Sequence, residues 1–242
     1  MSRIALIAIP IFITSLSTAH ADSSRLYEFS GFDRIEAQDG LNVSIQHNET
    51  HRVEVIANKS DYFDKITIVQ KGDSLIVKRR EDWGVTGLLS WAQNWANGVQ
   101  INIHMPELSE VEASSGVDIQ IGEFELDRLA LEASSGASVV ANGIIVNRLA
   151  LDTSSGASLE IEGSCSILKA EVSSGASISA ANFACVEGDI EASSGGSMQT
   201  NLSESVNAEA SSGGSIEIVG KPNTTKIEKT FGGSVTLVKH KI

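Results

Sequence analysis

Leu151-Asp152-Thr153-Ser154-Ser155-Gly156-Ala157-Ser158-Leu159-Glu160-Ile161 is one copy of a phrase that runs through the C-terminal half of this 242-residue chain. The Ser-Ser-Gly at its centre recurs with glycines at Gly116, Gly136, Gly156, Gly175, Gly195 and Gly213, and a worn copy, Thr230-Phe231-Gly232, follows. The steps are 20, 20, 19, 20, 18 and 19 residues. A period this regular marks a stacked repeat architecture. Five and three residues before each glycine, and three and five after it, the side chains are mostly aliphatic or small. Leu151, Thr153, Leu159 and Ile161 do this in the quoted copy. Alternation with period 2 on both sides of a glycine reads as strand, tight corner, strand.

The chain is therefore expected to be all-β, a right-handed parallel β-helix of about seven coils of ~20 residues. Stacked at the ~4.8 Å strand spacing, these make a rod of roughly 30 Å. The rest of each coil, such as Asn142-Gly143 or Glu162-Gly163, reads as a looser second corner. Leucine-rich repeats have a similar length, but the segment after Leu149-Ala150-Leu151 alternates again where theirs turns away, and a propeller blade needs about twice the period. Glycine suits the corner because positive φ costs it nothing, and the serine hydroxyls are expected to bond corner groups up the stack.

Three regions follow from this. Residues 1–21 read as a signal peptide: Arg3 is the positive start, Ile4–Leu16 the apolar stretch and Ala19-His20-Ala21 the cleavage site. No later segment reaches the ~20 apolar residues of a membrane span, so export to a periplasm or the cell exterior is expected. Residues 22–106 form a β-rich region without the repeat, with alternating runs at 41–45, 53–57, 66–68, 75–77 and 99–105. It should begin the solenoid and cover its first coil, because an open solenoid end is a sheet edge. Residues 107–242 hold the repeats, and 22–242 read as one continuous domain.

Segment 81–98 departs from the pattern and holds all three tryptophans, Trp83, Trp91 and Trp95. It reads either as an exposed aromatic contact surface for a sugar, a partner or a membrane interface, or as a loop folded back over the end of the solenoid. Cys165 and Cys185 are 20 residues apart, one period, and so share a register in adjacent coils. They are either a disulfide, which adjacent strands and an oxidising compartment permit, or two small buried hydrophobes.

The full chain carries a net charge of -13, and loss of Arg3 with the signal makes it -14. Phosphate contacts need clustered Lys and Arg, so nucleic-acid binding is excluded. Much of the negative charge is ordered. Four residues before each glycine stand Glu112, Glu132, Asp152, Glu171, Glu191, Glu209 and Glu228. Alternation turns this column outward. Stacked carboxylates ~5 Å apart repel one another. The functional reading is an anionic stripe for Ca²⁺, a basic protein surface or a cationic polymer; the plainer one is a solvated face that keeps the rod soluble. Catalysis by the corner serines is not expected, because His20, His47, His51, His104 and His240 all lie outside the first six repeats.

The order of motifs resembles a known family. After the export signal come Phe29-Ser30-Gly31-Phe32-Asp33-Arg34-Ile35, Asp39-Gly40-Leu41-Asn42-Val43-Ser44-Ile45, Gly72-Asp73-Ser74-Leu75-Ile76-Val77 and Ile101-Asn102-Ile103-His104-Met105-Pro106-Glu107-Leu108, then the Ser-Gly repeats. This layout is similar to the auto-transporter adhesin head GIN domain over about residues 27–240. The resemblance implies a β-helical envelope protein with an adhesive role and brings no catalytic residues. The expected function is a non-enzymatic binding or adhesion module acting on a protein or glycan at the cell envelope, with no cofactor. The alternatives are a polysaccharide-processing β-helix enzyme and a structural spacer without a specific ligand.

Overall fold

The computed structural model describes residues 23–80 and 98–238. The strands are β1 Ser23–Tyr27, β2 Arg34–Ala37, β3 Asn42–His47, β4 Arg52–Ala57, β5 Ile66–Lys71, β6 Ser74–Arg79, β7 Val99–Met105, β8 Glu110–Ala113 and β9 Asp118–Ile121. They continue with β10 Phe124–Ala133, β11 Ser138–Thr153, β12 Ser158–Val172, β13 Ser177–Ala192, β14 Ser197–Ala210, β15 Ser215–Gly220, β16 Thr224–Lys229 and β17 Ser234–Val238. All belong to one wound sheet. From β8 to β15 each strand pairs in parallel with its counterpart one period later, as Leu131↔Leu151 and Leu151↔Ala170 do. The fold is the parallel β-solenoid expected from the repeat. The expected seven coils are slightly too many: seven corners, Gly116 to Gly232, bound about six complete turns between them.

Each corner is a type I′ turn. Ser155 and Gly156 both have positive φ, 53° and 71°, and Ala157 N–H donates to the Ser154 carbonyl at 3.1 Å. Glycine alone was the expected left-handed residue, yet the serine before it shares that conformation at all six Ser-Ser-Gly corners. Successive corners are joined by backbone groups, where hydroxyl bonds were expected. Gly136 N–H donates to the Ser155 carbonyl, and Gly156 N–H to that of Ser174, both at 3.2 Å.

The expected looser second corner is in fact a short third wall. Ile144 and Val146 point inward beyond a bulge at 141–144, and they stack on Phe124 and Leu126 below. The bulge shifts the alternation by one residue, which hides this wall from a period-2 reading. Cys165 and Cys185 are partners in this wall, with Cα atoms 4.5 Å apart, and they form a disulfide.

The interior narrows along the rod. The first inward position after the corner is filled by Val117, then Ala137, Ala157 and Ala176, and finally by Gly196, Gly214 and Gly233. A Cβ on Gly214 would lie 2.2 Å from the Ala192 carbonyl oxygen. The adjacent coils thus meet backbone to backbone near the C-terminal end.

The N-terminal region enters the same stack. β2 and β3 flank a corner at Gln38-Asp39-Gly40, with φ of 67° and 66° at Asp39 and Gly40. They pair in parallel with β8 and β9, and on their other side with β6 and β7. Beyond these the pairing turns antiparallel: β4 on β7, β1 on β4, β5 on β6. A 3-10 helix, Ser60–Lys65, buries Tyr62 and Phe63 at this end, and the Arg25 guanidinium lies 4.3 Å from the Phe63 ring centre. The change of strand direction stops the parallel stacking, and the aromatic rings cover the last inward residues.

Candidate functional site: the acidic wall

The wall that leads into each corner carries the acidic column. Inward residues such as Leu131, Ala133, Leu151 and Thr153 are buried, so the residues between them must face solvent. The column is in unbroken register: Glu112 pairs with Glu132, Glu132 with Asp152, and so on through Glu171, Glu191 and Glu209 to Glu228.

The tertiary structure adds an eighth member that the repeat did not reveal. Glu36 is the Cα partner of Glu112 across β2 and β8. Its signal in the sequence was its position four residues before Gly40, but the corner there reads Gln-Asp-Gly. Glu110, two residues before Glu112 on the same face, was also missed; it takes an ion pair from Arg34 at 3.2 Å.

The two halves of the column differ. In the N-terminal half Glu36, Glu112, Glu132 and Asp152 line a shallow open groove of about 210 Å³ with Gln38 and Ser154. Gln38 donates to the Glu36 carboxylate. Partial burial, then the neighbouring charges of Glu110, Glu132 and Glu36, push the Glu112 carboxyl above its ordinary range. Glu132 is raised in the same way, first by burial and then by Glu110 and Asp152. In the C-terminal half a lysine stands two residues before two of the four acids, Glu171 and Glu228, whereas Asp189 precedes Glu191 and Asn207 precedes Glu209. Lys169 bridges Glu171 at 2.8 Å and Lys226 bridges Glu228 at 2.9 Å.

Carboxylates in a single line suit an extended cation better than an enclosed ion. Among the described residues no group of three or more His, Cys, Asp or Glu side chains is placed to hold a metal ion. The Cys165–Cys185 pair sits in the third wall, away from the column. Trp83, Trp91 and Trp95 lie outside the described residues. In the chain their segment lies between β6 and β7. Those two flanking strands pair with β2 and β3, Ala37 with Val77 and Asn42 with Gln100.

These features define a parallel β-solenoid with one strongly acidic wall. The chain belongs to the family described as "Putative auto-transporter adhesin, head GIN domain", whose model matches residues 31–222. Among solved structures it is similar to a putative adhesin from Bacteroides fragilis NCTC 9343, at 17% identity and a TM-score of 0.79, covering 93% of this chain and 100% of that one. It is also similar to a putative lipid binding protein from Parabacteroides distasonis ATCC 8503, at 15% identity and a TM-score of 0.69, covering 89% and 96%. A putative adhesin from Parabacteroides merdae ATCC 43184 follows, at 16% identity and 0.62, covering 89% and 95%. At these identities the likeness is one of fold. No curated protein matches the chain by sequence. No helix among the described residues is long and apolar enough to cross a membrane.

Proposed function

We propose that this chain is an exported, non-enzymatic adhesion module of the cell envelope, and that its acidic wall is the contact face for a protein or glycan carrying clustered positive charge. The observation that carries this reading is the continuous column from Glu36 to Glu228, with Glu112 and Glu132 partly buried and crowded by like charge in the groove. Like charges held in register destabilise the isolated rod, and an extended cation would relieve them at every coil. The family and two of the similar structures carry the adhesin name, which agrees with this role. Export is supported by the Arg3 to Ala21 leader, which lies outside the described residues, and by the Cys165–Cys185 disulfide, which suits an oxidising compartment.

The enzymatic alternative is weaker. A glycosidase needs two carboxyl groups flanking one bond from opposite sides, whereas these project in one line from a single wall.

The test is binding of the purified protein to cationic oligosaccharides (chitosan oligomers) and to oligolysine at low and high salt. Binding that is weakened at least tenfold by Glu112→Gln/Glu132→Gln/Asp152→Asn, and little by Glu160→Gln/Glu217→Gln on the adjacent wall, supports the reading. Equal binding by both variants, or none by the unmodified protein, overturns it.

A further inference from the structure

The two ends of the rod are finished differently. Antiparallel strands and the 3-10 helix close the N-terminal end. At the other end β16 pairs only with β14, and β17 only with β15, among the described residues. Inward positions that other coils bury are open here. Ile227 and Val235 are partly covered and Leu237 is 50% exposed. Phe231 occupies the corner position that is serine in the six Ser-Ser-Gly coils. Its φ is 48° and it is 88% exposed. A bulky residue is an outlier in the left-handed region, and the isolated rod gives this ring no burial to offset that strain.

The free edge has a defined polarity. Thr230 N–H donates back to the Ala210 carbonyl at 3.0 Å. Backbone groups alternate sides along a parallel strand, so Thr225, Ile227 and Lys229 turn both N–H and C=O to the open edge.

We propose that this edge is an interface for a second copy of this chain, with the two β16 strands antiparallel about a two-fold axis at Ile227. In that register Ile227 exchanges both backbone hydrogen bonds with its symmetry mate. Lys226 then faces Glu228 of the second copy, and Glu228 faces Lys226. Both side chains are outward and exposed, and they already form an ion pair within the chain. Centring the pair on Thr225 or on Lys229, the other residues with edge-facing backbone, brings no opposite charges together. Lys229, an inward charge that would block another parallel coil, faces Thr225 instead. Phe231 is carried toward the Lys221-Pro222-Asn223 bend of the second copy, which covers its ring. An isologous contact of this kind closes at two copies and forms no fibre.

The experiment is sedimentation equilibrium of the purified protein with a cross-linking arm. A dimer is expected, with a maximum dimension in small-angle scattering near twice that of one rod. Glu228→Lys should weaken dimerisation at least tenfold, and Lys226→Glu/Glu228→Lys should restore it, because the swap regenerates both cross-pairs. Circular dichroism confirms that each variant is folded. Ile227→Cys should cross-link to itself on oxidation, the native cysteines being joined to each other, whereas Ser158→Cys, far from the end, should not. A monomer at all concentrations overturns the proposal. So does a dimer indifferent to Glu228→Lys, or one in which Ile227→Cys fails to cross-link.

Discussion

Glu36 and Glu112 are direct neighbours in adjacent parallel strands, although 76 residues of chain separate them. Their contact joins the first coil to the repeat region and extends the acidic column to eight carboxylates. It also contributes to the raised carboxyl of Glu112.

That crowding has a signed consequence for pH. For Glu112 and Glu132 the folded pKa lies above the ordinary value of 4.5. The folded state therefore holds more protons than the unfolded one between those two values, and stability rises as pH falls through this window. The melting temperature should increase modestly as pH is lowered from neutrality toward 4.5. Glu112→Gln/Glu132→Gln should raise it at neutral pH and flatten the dependence. Asp127 acts oppositely: the hydrogen bond from Asn147, then Arg148 and Arg128, lower its carboxyl below 3.8, so its contribution is lost as pH falls through that lowered value. Thermal melts across pH, with and without the double substitution, check both signs.

The corners predict a contrast between adjacent residues. Gly156 has φ 71° and Ser155 φ 53°. Gly156→Ala should cost about 1 kcal/mol or more, whereas Ser155→Gly should be neutral or stabilising by up to about 1 kcal/mol, because it removes left-handed strain from a residue with a Cβ. Urea unfolding of the two variants separates them. Equal losses would show that the serine side chain contributes more than its backbone strain costs.

The narrowing interior predicts where a single methyl is not tolerated. Gly214→Ala places Cβ 2.2 Å from backbone, so two coils must part. Overpacking of this kind costs about 1–3 kcal/mol. Ala157, at the same position three coils earlier, already carries its methyl. Hydrogen exchange should show the Gly214→Ala loosening confined to strands β13 to β15.

The disulfide closes a 20-residue loop, one turn of the solenoid. Loop closure of that length is worth about 3 kcal/mol in the chain-entropy picture. Cys165→Ala/Cys185→Ala should lower stability by that order and leave circular dichroism unchanged. An unchanged melting temperature would show that the neighbouring rungs already impose the constraint.

Most of the fold was legible because a stacked repeat writes its geometry at short range. The position of each residue relative to its glycine decides whether it faces in or out, and the strand period of 2 needs no knowledge of distant chain. The seven repeat members of the acidic column could be found in this way. Three features could not. The third wall was hidden by the bulge near Ala141, which breaks the alternation that would have announced Ile144 and Val146. The left-handed serines were hidden because nothing in Ser-Ser-Gly says that two residues, rather than one, take positive φ. The place of Glu36 in the column was hidden because Gln38-Asp39-Gly40, legible as a turn, shares only its glycine with the repeat.

By itself, then, the sequence determined the period, the corners, the strand faces and the outward line of carboxylates, all of which follow from local stereochemistry. Only the tertiary structure decided which distant segments lie side by side. It set β2 against β8, and so Glu36 against Glu112. It joined Cys165 to Cys185, and it left β16 and β17 as the open end. Strand pairing is made by backbone groups that every residue shares, so local sequence says where a strand is but not which strand it meets.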